Sequence, residues 1–305
     1  MTSNKIVITG AAGLLGQHLI PSLKSRGYSE IVAIDKSAID TAVLRRLHPE
    51  ITVIEADIAL HDGWQQALGN ADALICCHAQ IDGFGKHLFQ CNNVLATRKL
   101  LDAARLNNVR YLVHISSASV NSACATLYSE SKKLQEALVN QYDIPRAVLR
   151  PTLMFGTFDS RNLGWLARFM AKTPIFPIPG NGYYSRQPLY VGDLCNIIGK
   201  CVEKRVSGEF NISGLSKVNY VDLMRMIQKT LRLRTHFIEI PYGLFWLMLK
   251  MYGLIDRNPP FTTNQLKAFT TPDEFQVVDW PSIFGVAPTP LDEAIAKAFP
   301  YLPVA

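Results

Sequence analysis

The feature that most constrains this chain is a glycine-rich segment at residues 10–16, Gly-Ala-Ala-Gly-Leu-Leu-Gly, which follows an apolar run at 5–9. After it, apolar residues recur at helical spacing, so the pattern predicts a buried strand, a tight turn and a helix. The first glycine permits the turn, the second lets a diphosphate approach the backbone, and the third lets the helix pack closely. The helix N-terminus offers free N–H groups to the phosphates. The predicted cofactor-binding residues of this segment are Gly10, Gly13, Leu14, Leu15 and Gly16.

The next two predicted strands end in acidic residues. The strand at 31–34 leads to Asp35, about 20 residues after the turn, where a carboxylate can accept hydrogen bonds from the adenosine ribose. A carboxylate would repel the additional phosphate of NADP, so NAD is the predicted cofactor, although Lys36 reduces this preference. The strand at 51–55 leads to Asp57, which either contacts the adenine or caps the following turn. The predicted residues on the adenosine side are Asp35, Lys36, Asp57 and Ile58.

Composition excludes several classes of protein. The chain has 305 residues, of which 48% are apolar and 18% charged, so it can bury a core in one large or two modest domains. The net charge of +6 has no concentrated Lys/Arg run, which argues against nucleic-acid binding and favours an anionic cofactor or substrate. No secretion signal precedes the first strand, so a cytoplasmic location is expected. No disulfide framework or metal site is predicted from the six cysteines, Cys76, Cys77, Cys91, Cys124, Cys195 and Cys201.

Strands and helices alternate through the first half of the chain. Helices are predicted over 38–47, 64–68 and 89–106, and further strands over 73–77 and 111–115. This alternation predicts an α/β fold with a doubly wound parallel sheet, with right-handed crossovers and a ligand at the carboxyl ends of the strands.

The chain is expected to form two domains. A dinucleotide-binding domain covers residues 1–155, to which 188–214 returns through a strand, and residues 156–305 form mainly a smaller substrate-binding domain. Residues 157–187 are rich in Gly, Pro, Arg and aromatic side chains, which suits contact with a ligand that carries phosphates or rings. The substrate-binding candidates are Arg161 and Arg186.

Residues 242–255 are apolar almost all round a predicted helix, with Lys250 as the one charged residue. The stretch is too short to cross a bilayer. It is therefore predicted first as a buried helix, with an apolar lid and an interfacial segment as the alternatives.

The motifs together resemble the extended short-chain dehydrogenase/reductase superfamily, which includes NAD-dependent epimerases and dehydratases. Besides the glycine turn and Asp35, the resemblance rests on Asn93, on the serines of 116–120 and on the Tyr and Lys of 128–132, four positions apart. It implies that Asn93 lies at the cofactor site and positions the lysine, with a helix N-cap as its alternative role. Similar later landmarks are Leu149-Arg150-Pro151, Phe155-Gly156 and Tyr190-Val191-Gly192-Asp193.

The predicted catalytic residues are Ser117, Tyr128 and Lys132, and Lys132 is also expected to bind the cofactor. A phenol has an unperturbed pKa near 10, but a neighbouring ammonium and a positive nicotinamide ring favour the phenolate. Tyr128 can then exchange a proton with a substrate hydroxyl or carbonyl while Ser117 holds the same oxygen. The hydride passes between the substrate carbon and the nicotinamide.

Departures from the family pattern narrow the reaction. Ala118-Ser119 stands where sugar 4,6-dehydratases have an Asp-Glu pair, so dehydration is not expected. Ser119 also replaces the Cys of some carbon-3/carbon-5 epimerases, and Tyr128 follows Ser117 by only eleven residues, which shortens the substrate-side loop. Hydride transfer remains, once in a dehydrogenase or ketoreductase or twice in a carbon-4 epimerase.

Three hypotheses for the function follow. The first is an NAD-dependent oxidoreductase or carbon-4 epimerase that acts on a nucleotide-diphosphate sugar. Leu153, where many nucleotide-sugar enzymes have Asn, favours the second, a dehydrogenase or ketoreductase for an apolar secondary alcohol resembling a 3β-hydroxysteroid. The third is a non-catalytic dinucleotide-binding subunit, against which Ser117, Tyr128 and Lys132 argue. The family resemblance also implies a homodimer through helices 89–106 and 128–141.

Overall fold

In the computed structural model of the chain, the described residues are 4–83, 85–122, 125–255, 263–270 and 278–299. Cys124 lies outside them. The chain divides into two compact units. The first comprises Met1–Thr152, Val191–Ile212 and Phe275–Pro288, and the second comprises Leu153–Tyr190, Ser213–Glu274 and Thr289–Ala305.

A seven-stranded parallel sheet organises the first unit, with strand order β11-β6-β5-β4-β1-β2-β3. The predicted doubly wound α/β fold is confirmed. Three two-stranded sheets, β7 with β10, β8 with β13 and β9 with β12, belong to the second unit. The strands are β1 Lys5–Thr9, β2 Glu30–Asp35, β3 Thr52–Glu55, β4 Ala73–Cys76, β5 Leu112–Ile115, β6 Arg146–Pro151, β7 Met154–Phe155, β8 Ile175–Pro179, β9 Ser185–Arg186, β10 Leu189–Tyr190, β11 Gly208–Ile212, β12 Val218–Asn219 and β13 His236–Ile240.

Helices cover the sheet and build much of the second unit. The α-helices are α1 Leu14–Ser25, α2 Ala38–Leu47, α3 Lys86–Phe89, α4 Ala96–Leu106, α5 Leu127–Gln141, α6 Leu163–Lys172, α7 Val191–Lys204, α8 Tyr220–Thr230, α9 Tyr242–Ile255, α10 Thr263–Thr270, α11 Trp280–Phe284 and α12 Leu291–Ala298. A π-helical segment, Gln90–Leu95, joins α3 to α4, and two 3₁₀ helices lie at Trp64–Leu68 and Ala118–Asn121.

The central strands are buried on both faces. Ile6, Val7 and Ile8 of β1 are fully buried. All four residues of β5 are also buried, and the most exposed of them, Ile115, is 6% exposed. Such strands read as continuous apolar runs because helices cover both sides of a parallel sheet. The strand order reverses between β1 and β4, and a ligand crevice in this fold lies outside the carboxyl ends of the strands at that point. The glycine turn leaves β1 at this position.

Helix α9 contradicts the first of the predictions made for residues 242–255. It forms as expected, but none of residues 242–254 is buried and only Phe245 and Leu249 are half-buried. The buried-helix prediction is therefore wrong. The apolar pattern of a single helix does not reveal whether enough neighbouring chain exists to cover it. No helix among the described residues is both long and apolar enough to cross a membrane.

Candidate active site

Two glycines of the turn are required by the fold itself. Gly10 has φ of +66°, and a Cβ there would lie 2.6 Å from the backbone nitrogen of His78, which follows β4. At Gly16, a Cβ would lie 2.3 Å from the backbone oxygen of Ala11. Both distances are below any ordinary contact, so a side chain at either position would push β4 or α1 away from the turn.

Gly13 is different because the protein's own packing leaves room for a side chain. It is exposed at the start of α1, and an added Cβ would meet only the backbone oxygen of Gly10 at 3.4 Å. Close approach of a ligand diphosphate to this turn explains the glycine where packing does not. The helix N-terminus behind it supplies unpaired N–H groups and a positive dipole end, so the residues present fit a dinucleotide.

Asp35 ends β2 and is held against the glycine turn. Its Oδ2 accepts a hydrogen bond from the backbone N–H of Ala12 at 3.0 Å, and its Oδ1 accepts from that of Ser37 at 3.1 Å. The carboxylate is thereby oriented at the edge where the predicted site requires it.

The remaining predicted residues on the adenosine side contact other protein groups or are buried. Lys36 Nζ lies 3.5 Å from Asp57 Oδ2 and donates to Asn92 Oδ1 at 2.9 Å. Asp57 Oδ1 also accepts from the backbone N–H of Ala59 at 2.9 Å, which is the capping role that the sequence left open. Leu15 and Ile58 are buried and Leu14 is half-buried.

Ser117 and Tyr128 come together in the first unit. Ser117 follows β5, and its hydroxyl accepts a hydrogen bond from the backbone N–H of Ser119 at 3.2 Å. It also lies near the phenol of Tyr128, in the first turn of α5, and influences its pKa. Burial raises the pKa of Tyr128, the Ser117 hydrogen bond opposes this rise, and the charge of Asp82 adds to it. Together these influences leave the pKa of Tyr128 above its ordinary value.

Lys132 lies one turn further along α5 and is only 1% exposed. Its Nζ donates a hydrogen bond to the backbone oxygen of Ile115, at the end of β5, at 2.8 Å. Burial lowers the pKa of this ammonium to about 8, against the opposing influence of Glu136 and the thiols of Cys76 and Cys77. Lys132 is thus a buried cation at the carboxyl end of the sheet, on the same helix as Tyr128.

Asn93 connects this helix to the loop after β4. It lies fully buried within the π-helical segment, so the alternative role of a helix N-cap is wrong. Its Oδ1 accepts from the backbone N–H of Gln80 at 2.6 Å, and its Nδ2 donates to Ser131 Oγ at 2.8 Å. A π turn leaves a backbone carbonyl outside the regular helical pattern. Here the backbone oxygen of Asn93 accepts a hydrogen bond from Gln135 Nε2 at 3.3 Å.

His78, which lies beside the turn, belongs to no motif of the sequence. Its Nδ1 is 2.7 Å from Thr9 Oγ1 and its Nε2 is 3.1 Å from Thr97 Oγ1. Burial, with smaller contributions from the charges of Lys132 and Lys36, lowers the His78 pKa to about 3, so the imidazole is neutral. A signal was present, since a polar residue directly after a buried strand of a parallel sheet lies at the ligand edge.

The two substrate-binding candidates belong to the second unit. Arg161 is exposed, and its backbone N–H donates to Asp159 Oδ1 at 3.1 Å. The guanidinium of Arg186 lies over the Tyr184 ring, 5.3 Å from its centroid, and Tyr184 stacks on Tyr220 at 5.2 Å. Among the described residues, no group of three or more His, Cys, Asp or Glu side chains could hold a metal ion.

Comparison with known proteins finds a matching family profile and several similar chains. The profile of the NAD dependent epimerase/dehydratase family matches residues 6–213. Ceramide reductase of Caulobacter vibrioides is 25% identical over 178 residues, a match that spans 57% of this chain and 53% of that protein. The N-acetyl-alpha-D-glucosaminyl-diphospho-ditrans,octacis-undecaprenol 4-epimerase of Escherichia coli is 22% identical over 328 residues, covering 98% of this chain and 95% of that one.

Among solved structures, the UDP-glucuronic acid 4-epimerase of Bacillus cereus in complex with UDP-glucuronic acid and NAD has a similar fold. The TM-score is 0.77 at 21% sequence identity, and the alignment covers 97% of this chain and 98% of that chain. At this identity the likeness extends to the fold alone.

Proposed function

Because the chain belongs to the NAD dependent epimerase/dehydratase family, whose members are NAD-dependent enzymes, we propose that it transfers hydride between NAD and a nucleotide-diphosphate sugar, as an oxidoreductase or carbon-4 epimerase. The observation that carries this proposal is the buried ammonium of Lys132, bonded to the end of β5, on the same helix as a Tyr128 phenol that lies near Ser117. A subunit that used the fold only for support would have no physical need for a buried ammonium on the helix that carries this tyrosine.

The residues that would hold NAD are the glycine turn, Asp35 and Lys132. When bound, NAD supplies the hydride acceptor and donor. In the reducing direction, Tyr128 donates its proton to the carbonyl oxygen of the substrate, which Ser117 also hydrogen-bonds. In the oxidising direction, the phenolate accepts the hydroxyl proton, and a positive charge on Lys132 favours this anion. Asn93 supports α5 through Ser131 and so orients both side chains.

The charge of the second unit supports an anionic substrate. Its residue ranges contain 13 of the 31 Lys and Arg and 8 of the 25 Asp and Glu of the chain, which gives +5 of the net +6. A diphosphate carries negative charge that such a unit attracts. We propose Arg161 and Arg186 as ligands of the diphosphate, because a guanidinium binds phosphate oxygens in a bidentate manner. The names of the similar Bacillus cereus and Escherichia coli proteins contain diphosphate-linked sugars as substrates, which supports this assignment.

A second candidate substrate is an apolar secondary alcohol. Leu153 packs against the apolar core of the second unit, where nucleotide-sugar enzymes often have Asn. The similarity to a ceramide reductase supports the same class. In this case the Ser117, Tyr128 and Lys132 chemistry is unchanged and only the recognition of the substrate differs.

Tyr128→Phe tests the catalytic assignment. The variant removes one hydroxyl, and we expect turnover to fall at least about a hundredfold while NAD binding is retained. Tyr142→Phe is the matched control, because Tyr142 follows the other end of α5 and its hydroxyl bonds Asp102 at 2.6 Å. Unchanged turnover in Tyr128→Phe would contradict the mechanism and leave the non-catalytic hypothesis.

Ligand-induced stabilisation tests the substrate class. With saturating NAD, the melting temperature is measured in the presence of UDP, dTDP or GDP, and separately with a set of apolar ketones. A ligand that binds the native state alone raises the melting temperature by mass action. We expect a rise with one nucleoside diphosphate, and its loss in Arg186→Gln. A rise with apolar ketones only would replace the sugar by the second candidate.

A further inference from the structure

Helix α9 is apolar along its length and yet exposed. Its one charged residue is Lys250, and of residues 242–254 only Phe245 and Leu249 are as much as half-buried. A helix that is apolar all round is normally enclosed by protein or lipid, because apolar surface in water costs about 25 cal/mol per Å². The described residues do not enclose this helix, so its surface is free to be covered by a further partner.

The exposed surface of α9 is ordered by helical geometry. Phe245 and Leu249 are one turn apart and form the face directed toward the protein. At 3.6 residues per turn, the opposite face carries five aliphatic side chains, which we call the outer stripe. The outer stripe consists of Leu244, Leu247, Met248, Met251 and Leu254, which are 47% to 83% exposed.

Amphipathic side chains flank the outer stripe. Lys250 Nζ lies 5.0 Å from the centroid of the Trp246 ring. Tyr242, four residues before Trp246, is on the same side of the helix by its spacing. Trp and Tyr are enriched at membrane–water interfaces, and a lysine there extends its ammonium toward the lipid headgroups. An aliphatic stripe bordered by Trp, Tyr and Lys is therefore the arrangement of a helix lying in the plane of a bilayer interface.

The length of α9 excludes a spanning orientation. Its 14 residues extend over about 21 Å, whereas the hydrocarbon core of a bilayer is about 30 Å thick. The helix can lie along the surface of a bilayer but cannot cross it.

The charge of the second unit identifies the kind of surface. Because this unit carries +5, two copies that met through the same α9 face would bring like charges together, which disfavours a symmetric dimer there. The same charge attracts a surface of anionic lipid headgroups. We propose that the outer stripe of α9 binds an anionic lipid bilayer, with the helix parallel to the membrane plane. This inference is independent of the substrate and of the catalytic residues.

Vesicle flotation of the full-length protein tests the proposal. We expect the protein to float with mixed phosphatidylcholine and phosphatidylglycerol vesicles, and less with phosphatidylcholine alone. Leu247→Glu/Met251→Glu places two carboxylates on the outer stripe and should lower the partition coefficient at least about tenfold. Ile39→Glu/Leu60→Glu is the matched control, because these residues are 80% and 66% exposed in the first unit.

A second readout comes from Trp246, which is 37% exposed, whereas Trp64 and Trp280 are 1% exposed. Vesicles with brominated lipids should quench the tryptophan fluorescence of the wild-type protein. The quenched fraction should be much smaller in Trp246→Phe, which lacks the exposed tryptophan of α9. Absence of flotation of the wild-type protein, or equal flotation of Leu247→Glu/Met251→Glu, would overturn the proposal. A lipid-free dimer that these two substitutions dissociate, without vesicle binding, would assign the stripe to a second copy instead.

Discussion

Replacement of Lys132 by Met should stabilise the protein at neutral pH while it removes the cation that we propose takes part in catalysis. Lys132 is 1% exposed, and burial lowers its pKa from 10.5 to about 8. That difference corresponds to about 3 kcal/mol for keeping the ammonium charged in the folded state. Met preserves the length of the side chain but loses the hydrogen bond to the Ile115 oxygen, which costs about 1 kcal/mol. The expected net gain at pH 7 is about 2 kcal/mol.

The sign of this effect reverses with pH. Between pH 8 and 10.5 the unfolded chain binds more protons at this lysine than the folded protein does, so the wild-type protein gains stability as pH rises. Above about pH 10 the folded lysine is neutral, and Lys132→Met should become less stable than wild type by the lost hydrogen bond, about 1 kcal/mol.

Urea unfolding at a series of pH values measures the difference between the two proteins. Lys133→Met is the control, because Lys133 is exposed and paired with Glu130 at 3.0 Å, and it should change stability by less than about 0.5 kcal/mol. A Lys132→Met variant that is less stable than wild type at pH 7 would refute the reasoning, because the buried ammonium would then be stabilised by its surroundings.

Two further predictions concern the turn and its neighbour. Gly16→Ala should lower the free energy of unfolding, measured in urea, by about 1 to 3 kcal/mol, because the new Cβ would lie 2.3 Å from the Ala11 oxygen. Gly13→Ala should leave this free energy nearly unchanged and weaken NAD binding, measured by titration, about tenfold. If both variants bind NAD as wild type does, the turn is structural only. The folded pKa of His78 is lowered to about 3, so the unfolded chain binds more protons and wild-type stability falls as pH drops below about 6.5. His78→Asn should show a shallower loss between pH 6.5 and 4.5 in urea unfolding, with exposed His87→Asn as the control; equal slopes in the two variants would contradict this.

Local pattern was sufficient for much of the first unit. The strand, glycine turn and helix at 5–25 form as predicted, and helix 38–47 has the predicted bounds. These elements depend on neighbouring residues in the chain: apolar runs make strands, and glycine supplies the backbone freedom at Gly10. The alternation of such elements then restricts the topology to a parallel doubly wound sheet.

Only tertiary structure decided the environment of the charged and polar groups. The pKa of Lys132 depends on how completely the sheet and α5 exclude water. The neutral state of His78 likewise depends first on its burial and then on the charges of Lys132 and Lys36, which are distant in sequence. The role of Asn93 follows from a π turn that no spacing rule reveals. Residues 242–255 give the clearest contrast, because the sequence determined an apolar helix by itself. Whether that helix is buried depends on how much chain packs around it, and burial is a property of the assembled fold.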